Sequence, residues 1–136
     1  MAADCHICRA VADGGSHVYD EGAWVAYAAA DVPGWVMLAT KEHLEGMWSL
    51  SVEQSVGLGP AIRALGRAVI ETTGAQRAHL VFLGESGLHF HLGFFPRAAG
   101  EPPLLDNAPL IEAAQTAADA ERARVLAQRI RSALRR

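Results

Sequence analysis

The sequence predicts a fold that contains both helices and β-strands, and three features indicate it. Short apolar segments bounded by turn residues occupy much of the first 40 residues and return over residues 78–95, as strands do. Two longer segments, one after Ser51 and one from about residue 110, carry apolar residues at helical spacing. A chain of 136 residues can also bury a core without disulfide bonds.

Composition and charge argue against several classes of protein. Hydrophobic residues make up 51% of the chain, which is too many for general disorder. The formal net charge of −3 argues against a nucleic acid or an anionic membrane as partner. No apolar run approaches the roughly 20 residues of a membrane span, and the first residues lack the pattern of a signal peptide. We therefore expect a cytoplasmic protein that binds neither nucleic acid nor membrane.

Four strands are predicted outside the histidine-rich segment. Residues 17–27 have the pattern of two short strands around a turn at Glu21-Gly22. Asp31-Val-Pro-Gly has turn chemistry, and residues 35–40 follow as a short, mostly apolar strand. Residues 78–83 form the fourth strand, and a tight loop joins it to the histidines.

Two helices complete the predicted elements. Ser51 is a candidate N-cap with Gln54 three residues later, which is the pattern of a capping box. The helix should run to about Thr73, where a glycine ends it, and Pro60 should delay or kink it. The second helix is predicted over residues 110–134, packed on the domain or on a partner subunit.

A strand that carries two histidines dominates the sequence. Over residues 88–95 apolar side chains alternate with other residues, so one face should point to the core. That face holds Leu88, Phe90, Leu92 and Phe94. The other face presents His89 and His91 about 7 Å apart. Gly93 should leave an open space on it, and Pro96, which has no N–H, should end the strand.

The only cysteines form a Cys5-x-x-Cys8 pair. A two-residue gap suits a metal site or a redox dithiol, and a reducing compartment disfavours a structural disulfide. The redox reading requires a thioredoxin-like βαβ pattern, which the neighbouring sequence lacks. A metal site would require two further ligands.

Three motifs in order give the chain a resemblance to a known family. They are the CxxC pair, a Pro-Gly-x-Val-x-Leu strand that ends in Lys-x-His, and H-x-H-x-x-x-x-P-R. Over residues 5–97 the chain resembles the histidine-triad (HIT) superfamily, in particular its zinc-bearing bacterial branch related to diadenosine-polyphosphate hydrolases. The resemblance implies an α+β fold with an antiparallel sheet of about five strands, a crossing helix and usual dimerisation. Residues 1–98 would then be the HIT-like domain, and residues 99–136 a loop with a C-terminal helical extension.

The resemblance also implies a structural zinc ion. In the zinc-bearing branch the ligands fall on Cys5, Cys8, His43 and His89 of this chain. Because such a set leaves no coordination position open, the zinc would stabilise the fold rather than act on a substrate. The competing interpretation is that the cysteines are ordinary thiols and His43 is a surface residue.

The nucleophile of the family falls on His91. A neutral imidazole can attack the α-phosphorus of a nucleotide and hold the nucleotidyl group as a phosphoramidate, which water then cleaves. Ser86 matches a family serine that bonds phosphate oxygens or the leaving group, and Gly87 allows close backbone approach. The alternatives are that Ser86 is a plain turn residue and that His91 is structural.

The chain departs from the family around the phosphate. Gly93 replaces the third histidine, and Trp35 replaces a histidine at the start of the Pro-Gly strand. An asparagine near the loop has an apolar counterpart at Phe82 or Leu83. An acidic ribose-binding residue is matched only by Asp31, and only if the loop is shortened.

From this resemblance we expect a HIT-type hydrolase or nucleotidyl transferase that acts at an α-phosphate through His91. Its substrate would be a small nucleotide or another phosphorylated molecule, and the protein would be a homodimer. Two alternatives stay open: a weakened HIT-derived nucleotide-binding or regulatory protein, and an enzyme of specialised metabolism with His91 as acid or base. The space at Gly93, flanked by Phe95 and Trp35, would suit a bulkier or more apolar ligand.

Overall fold

Among the described residues, the fold combines one antiparallel sheet with three helices of defined bounds, and Glu112, Gln115 and Thr116 are helical as well. The computed structural model describes residues 4–29, 31–82, 84–85, 88–104, 112 and 115–136. The strands are β1 (His17–Glu21), β2 (Trp24–Ala28), β3 (Val36–Thr40), β4 (Arg77–Val81) and β5 (His91–Arg97), and their order in the sheet is β1-β2-β3-β5-β4. The helices are α1 (His6–Ala12), α2 (Val52–Thr73) and α3 (Ala120–Leu134), with short 3₁₀ turns at Gly14–Ser16 and Met47–Ser49. The predicted α+β fold, with its crossing helix and its C-terminal helix, is confirmed.

None of the helices in the described residues is long and apolar enough to cross a membrane.

The register of the central strands determines which residues share a face. The β1–β2 hairpin turns at Gly22, whose φ of 56° suits glycine. β3 pairs with β5 so that Ala39 lies opposite His91 and Met37 opposite Gly93. Because alternate residues of a strand point to opposite faces, His91, Gly93 and Phe95 share one face of the sheet.

Pro96 does not end β5, which runs to Arg97. It lies opposite Ala78 of β4, while the pairing of β5 with β3 already ends at Phe94. The missing N–H of Pro96 therefore removes no bond to β3. The prediction that Pro96 ends the strand was therefore wrong.

Helix α2 begins and ends where the sequence predicts. Ser51 Oγ accepts a hydrogen bond from the Gln54 amide at 3.1 Å, and Gln54 Oε1 accepts one from the Ser51 amide at 2.8 Å. This capping box fixes the start of the helix, so Pro60 lies inside α2 and does not delay it. The helix ends at Gly74, whose φ of 71° is left-handed.

One face of the sheet packs against α2 and α3 and forms the main core. The buried residues of this core from the strands and the segment before β5 are Val18, Trp24, Ala26, Val36, Leu38, Phe90, Leu92 and Phe94. Leu88, which lies before β5, is not among them, and its side chain is 58% exposed. The prediction that Leu88 faces the core was wrong.

The predicted helix over residues 110–134 is interrupted at residues 117–119: Glu112, Gln115 and Thr116 are helical, and helix α3 begins at Ala120. The Asp119 side chain accepts a hydrogen bond from the Arg122 amide at 3.0 Å and caps a helix that starts at Ala120. Of the predicted stretch before it, residues 110–111 and 113–114 lie outside the described residues. Helix α3 packs on α2 and β1, and its Ile130 joins the main core.

Candidate metal centre and active-site face

The two cysteines lie at the start of α1. Cys5 is the N-cap of this helix, and its Sγ accepts a hydrogen bond from the Cys8 amide at 3.3 Å. The thiol cap starts the helix at His6. Helix α1 lies on the face of the sheet opposite the main core, where Ile7 packs against Tyr27 and Ala39. The CxxC pair is therefore held against the sheet on the face that carries His91.

Two histidines bring their ring nitrogens to these thiols. Cys8 Sγ lies 3.3 Å from Nδ1 of His43 and 3.3 Å from Nδ1 of His89, and Cys5 Sγ lies 3.6 Å from the latter. The four ligand atoms all lie within 4.8 Å of one another. Sulfur and nitrogen ligands of a tetrahedral zinc ion stand about 3.4–3.8 Å apart. The cluster of Cys5, Cys8, His43 and His89 therefore fits a metal site.

The orientation of His89 suits a metal ligand. Its Nε2 lies 2.7 Å from the backbone oxygen of Thr40, and a carbonyl oxygen can only accept, so the ring donates its proton there. Nδ1 then carries the lone pair that faces the thiols. Burial lowers the pKa of His89, with further lowering by His43 and His91, and this favours the neutral ring that metal binding requires.

His91 has the opposite tautomer. Its Nδ1 lies 2.7 Å from the backbone oxygen of His89, so Nδ1 must carry the proton and Nε2 the lone pair. Within the described part of the chain, no group bonds to Nε2. The ring is half-buried, and the Phe82 ring stands edge-on to it with a centroid distance of 6.4 Å. His91 thus presents an unprotonated nitrogen on the face opposite the main core.

The space beside Gly93 is filled, contrary to the sequence prediction. A Cβ at Gly93 would stand 2.5 Å from Cζ of Phe95, which is closer than any real contact. The Phe95 ring therefore lies directly over the glycine, two residues away on the same face. It also packs on Trp35, with ring centroids 4.1 Å apart. The predicted open space for a bulky ligand at Gly93 was wrong, because this ring occupies it.

The other predicted binding residues are placed as follows. Trp35 lies just before β3, and its ring contacts Phe95. Asp31 is exposed, and its backbone oxygen accepts a hydrogen bond from the Asp119 amide at 2.7 Å. Ser86 and Gly87 lie outside the described residues, so their predicted roles stay predictions.

Sequence reasoning missed three contributors to this region. The Thr40 carbonyl orients His89, but every residue has a carbonyl and no sequence signal marks this one. Tyr27 packs beside Cys5, and burial together with the electrostatic effect of Cys5 raises the pKa of Tyr27 to about 12. Phe95 could have been found, because a large ring two residues after a glycine on the same face can fold back over it.

The chain matches solved structures but no known sequence family. No protein-family model and no curated protein matches it. A Hit-like protein involved in cell-cycle regulation from Bartonella henselae matches with a TM-score of 0.75 and 15% identity, and 98% of each chain is covered. A Zn-bound histidine triad family protein from Mycobacterium smegmatis matches with a TM-score of 0.73 and 18% identity, over 97% of this chain and 94% of the other.

A third similar structure is larger. A uridylyltransferase matches with a TM-score of 0.67 and 20% identity, over 96% of this chain but only 45% of its own length. The present chain thus corresponds to about half of that protein. Together with the sheet order and the crossing helix, these similarities show that the chain has the histidine-triad fold.

Proposed function

We propose that this protein is a histidine-triad protein that binds a small nucleotide or related phosphorylated molecule and transfers its nucleotidyl group through His91. The observation that carries the proposal is the hydrogen bond from His91 Nδ1 to the His89 carbonyl, which leaves Nε2 unprotonated. The histidine-triad fold and the Zn-bound and uridylyltransferase neighbours support it. A nucleophilic imidazole needs this tautomer.

The proposed reaction has two displacements. Nε2 of His91 attacks the α-phosphorus, an N–P bond forms, and the P–O bond to the leaving group breaks. The ring then carries a positive charge, which the hydrogen bond from Nδ1 to the His89 carbonyl stabilises. Water, or another acceptor in a transferase, attacks the same phosphorus and breaks the N–P bond. In this scheme Ser86 and Gly87 would bond the phosphate oxygens, as the sequence suggests.

We propose zinc as the metal of the Cys5, Cys8, His43 and His89 cluster. A closed set of two thiolates and two imidazoles is typical of structural zinc, and it leaves no position for substrate. When bound, the ion would tie α1 and the segment after β3 to His89. Because His91 donates to the His89 carbonyl, a fixed His89 also positions the nucleophile.

The proposal is tested by intact-mass analysis after incubation with nucleoside phosphoramidates and dinucleoside polyphosphates. The reaction is stopped in alkaline denaturant, because a phosphoramidate on histidine is labile in acid. We expect one added nucleotidyl mass on the wild type and none on His91→Asn. The matched control is His79→Asn, since His79 lies opposite Phe95 on the neighbouring strand and should leave the adduct unchanged. An adduct that survives His91→Asn would contradict the proposal.

A second candidate is a histidine-triad-derived binding protein without turnover. The Phe95 ring over Gly93 favours it, because apolar rings stand where the family has its third histidine. Each missing donor to the transferred phosphoryl group removes transition-state stabilisation. Nucleotide binding by the wild type without any adduct, together with adduct formation by Phe95→Ala, would establish this candidate over the first.

We further propose a cytoplasmic homodimer. Several large apolar side chains are exposed near the start of α2 and on the edge strand β4, which a second copy would cover. They are Trp48 (73% exposed), Val52 (84%), Val56 (72%) and Leu80 (41%). Light scattering of the full chain should give twice the mass of 14.5 kDa. The variant Val52→Glu/Val56→Glu should give a monomer, whereas Arg67→Glu on the same helix should remain dimeric.

A further inference from the structure

A cavity of about 670 Å³ lies at the end of the sheet away from the metal cluster. Its walls come from the segment before β3, the end of β5, the C-terminal end of α2, and α3. A volume of this size is typical of small-molecule sites. His91 does not line it, and six residues of strand, roughly 20 Å, separate His91 from Arg97 at the cavity. The chemistry proposed for His91 therefore leaves this cavity without a role.

The cavity carries excess positive charge. Three arginines line it, Arg97, Arg122 and Arg129, against a single carboxylate, Glu101. Arg97 is already paired, since its Nε lies 3.0 Å from Glu101 Oε2. For Arg122 and Arg129, no carboxylate of the described residues lies within ion-pair distance. Arg122 and Arg129 thus line the cavity with no ion-pair partner among the described residues.

These two arginines flank an apolar strip on α3. Arg122 and Arg129 are seven residues apart, about two helical turns, and so lie on one face of the helix. Val125 and Leu126 lie between them and also line the cavity. The cavity thus combines apolar surface with two cationic groups on a single helix.

An aromatic wall comes from the sheet. The rings of Trp35 and Phe95 both line the cavity, with centroids 4.1 Å apart and planes inclined at 51°. Ring faces bind flat apolar groups, and guanidinium groups bind phosphate or carboxylate in bidentate geometry. The two features suit one ligand that has both parts.

We propose that this cavity binds an organic anion, with its flat apolar body against Trp35 and Phe95 and its phosphate or carboxylate between Arg122 and Arg129. The cavity shares Phe95 and Trp35 with the surroundings of Gly93, but His91 does not line it, and the proposal does not depend on the chemistry of His91. Phosphate and carboxylate share the chemistry that two guanidinium groups recognise, so the probes must tell them apart.

The test is an NMR titration of the full-length, metal-replete chain with phenyl phosphate, with benzoate, and with benzyl alcohol as the neutral probe. We expect phenyl phosphate or benzoate to shift the Trp35 indole and the Nε–H signals of Arg122 and Arg129, and benzyl alcohol to bind far more weakly. The anion that binds more tightly assigns the ligand class. Binding should persist in His91→Asn, which separates this result from the fate of the His91 proposal.

The decisive variant is Arg122→Gln/Arg129→Gln, which should raise the Kd of the tighter anion about tenfold or more. Its matched control is Arg63→Gln/Arg67→Gln, which removes the same charge from exposed positions on α2 and should change the Kd less than about twofold. Arg122→Lys/Arg129→Lys keeps the charge, loses the bidentate geometry and should fall between them. Equal weakening by both glutamine variants, or shifts confined to the surroundings of His91, would overturn the proposal.

Discussion

The two ends of the segment from His89 to Arg97 differ in what fills the space beside the sheet. At the first end, polar atoms converge: two thiols and two imidazole nitrogens lie within 4.8 Å of one another. At the other end, the Phe95 ring covers Gly93 and packs at a tilt against Trp35. A convergent set of donors specifies its partner by atom type and geometry. A pair of packed rings offers apolar surface and leaves specificity to the charges around it, here the arginines of the cavity.

His91 lies between these ends, but its hydrogen bond links it to only one of them. Its Nδ1 bonds to the carbonyl of the metal-site residue His89. No hydrogen bond of the described residues connects its ring to Phe95 or Trp35. Damage at the metal end should therefore disturb His91, whereas changes at the aromatic end should alter ligand access and leave the tautomer of His91 intact.

The largest effect should come from the metal end. Cys8→Ser removes a buried ligand atom, and chelation removes the ion, so both should lower stability by several kcal/mol. Differential scanning calorimetry with parallel metal analysis should show about one zinc per wild-type chain and a melting temperature at least about 10 °C lower without it.

Restoring zinc provides the control for that comparison. Added zinc should return the chelated wild type to its original melting temperature but should not rescue Cys8→Ser. Phe95→Leu should keep its full metal content, because Phe95 lies at the other end of β5. A wild-type chain that melts unchanged after chelation would refute the metal assignment.

A smaller effect should come from the aromatic end. Gly93→Ala places a methyl group 2.5 Å from the Phe95 ring, and the resulting overpacking should cost about 1–3 kcal/mol in chemical denaturation. In a Phe95→Ala background the same substitution should cost close to nothing, because the ring is gone. Gly59→Ala is the matched control: a Cβ added at Gly59 would meet nothing within 4 Å, and the substitution should stabilise α2 by about 0.5–1 kcal/mol. An equal cost in both backgrounds would mean that Phe95 does not cover Gly93.

The smallest effect should come from the cap of α2, where a substitution should lower stability without changing metal binding. Ser51→Ala removes the capping box and should cost about 1 kcal/mol. Gln54 of that box also donates to Glu42, next to the metal-site residue His43, at 3.1 Å. The metal content of Ser51→Ala should nevertheless stay at the wild-type value, and Ser132→Ala on α3 should change stability by less than about 0.5 kcal/mol. Loss of metal in Ser51→Ala would show that the cluster depends on this cap.

The sequence predicts best what residue type and short spacing determine. The capping box at Ser51, the turn at Gly22 and the stop at Gly74 each depend on one or two residues and are confirmed. The four clustered metal-site residues come from distant parts of the chain, and they were found only through the resemblance, because no spacing links Cys5 to His89.

The sequence predicts poorly what depends on the neighbouring elements. The prediction of an open space beside Gly93 was wrong, because a glycine in a sequence does not show which side chain will pack over it. Leu88 continued an alternating pattern, but the strand starts after it, and its side chain is exposed. The break before α3 was missed because helical spacing over residues 110–134 concealed the cap at Asp119.

The tautomers of the two histidines test the account most directly. Long-range ¹H–¹⁵N NMR of the metal-replete protein at neutral pH resolves protonated, bare and metal-bound ring nitrogens. We predict that His89 is protonated at Nε2 and metal-bound at Nδ1, and that His91 is protonated at Nδ1 with a bare Nε2. A His91 that carries its proton on Nε2, or that itself binds the metal, would contradict the account.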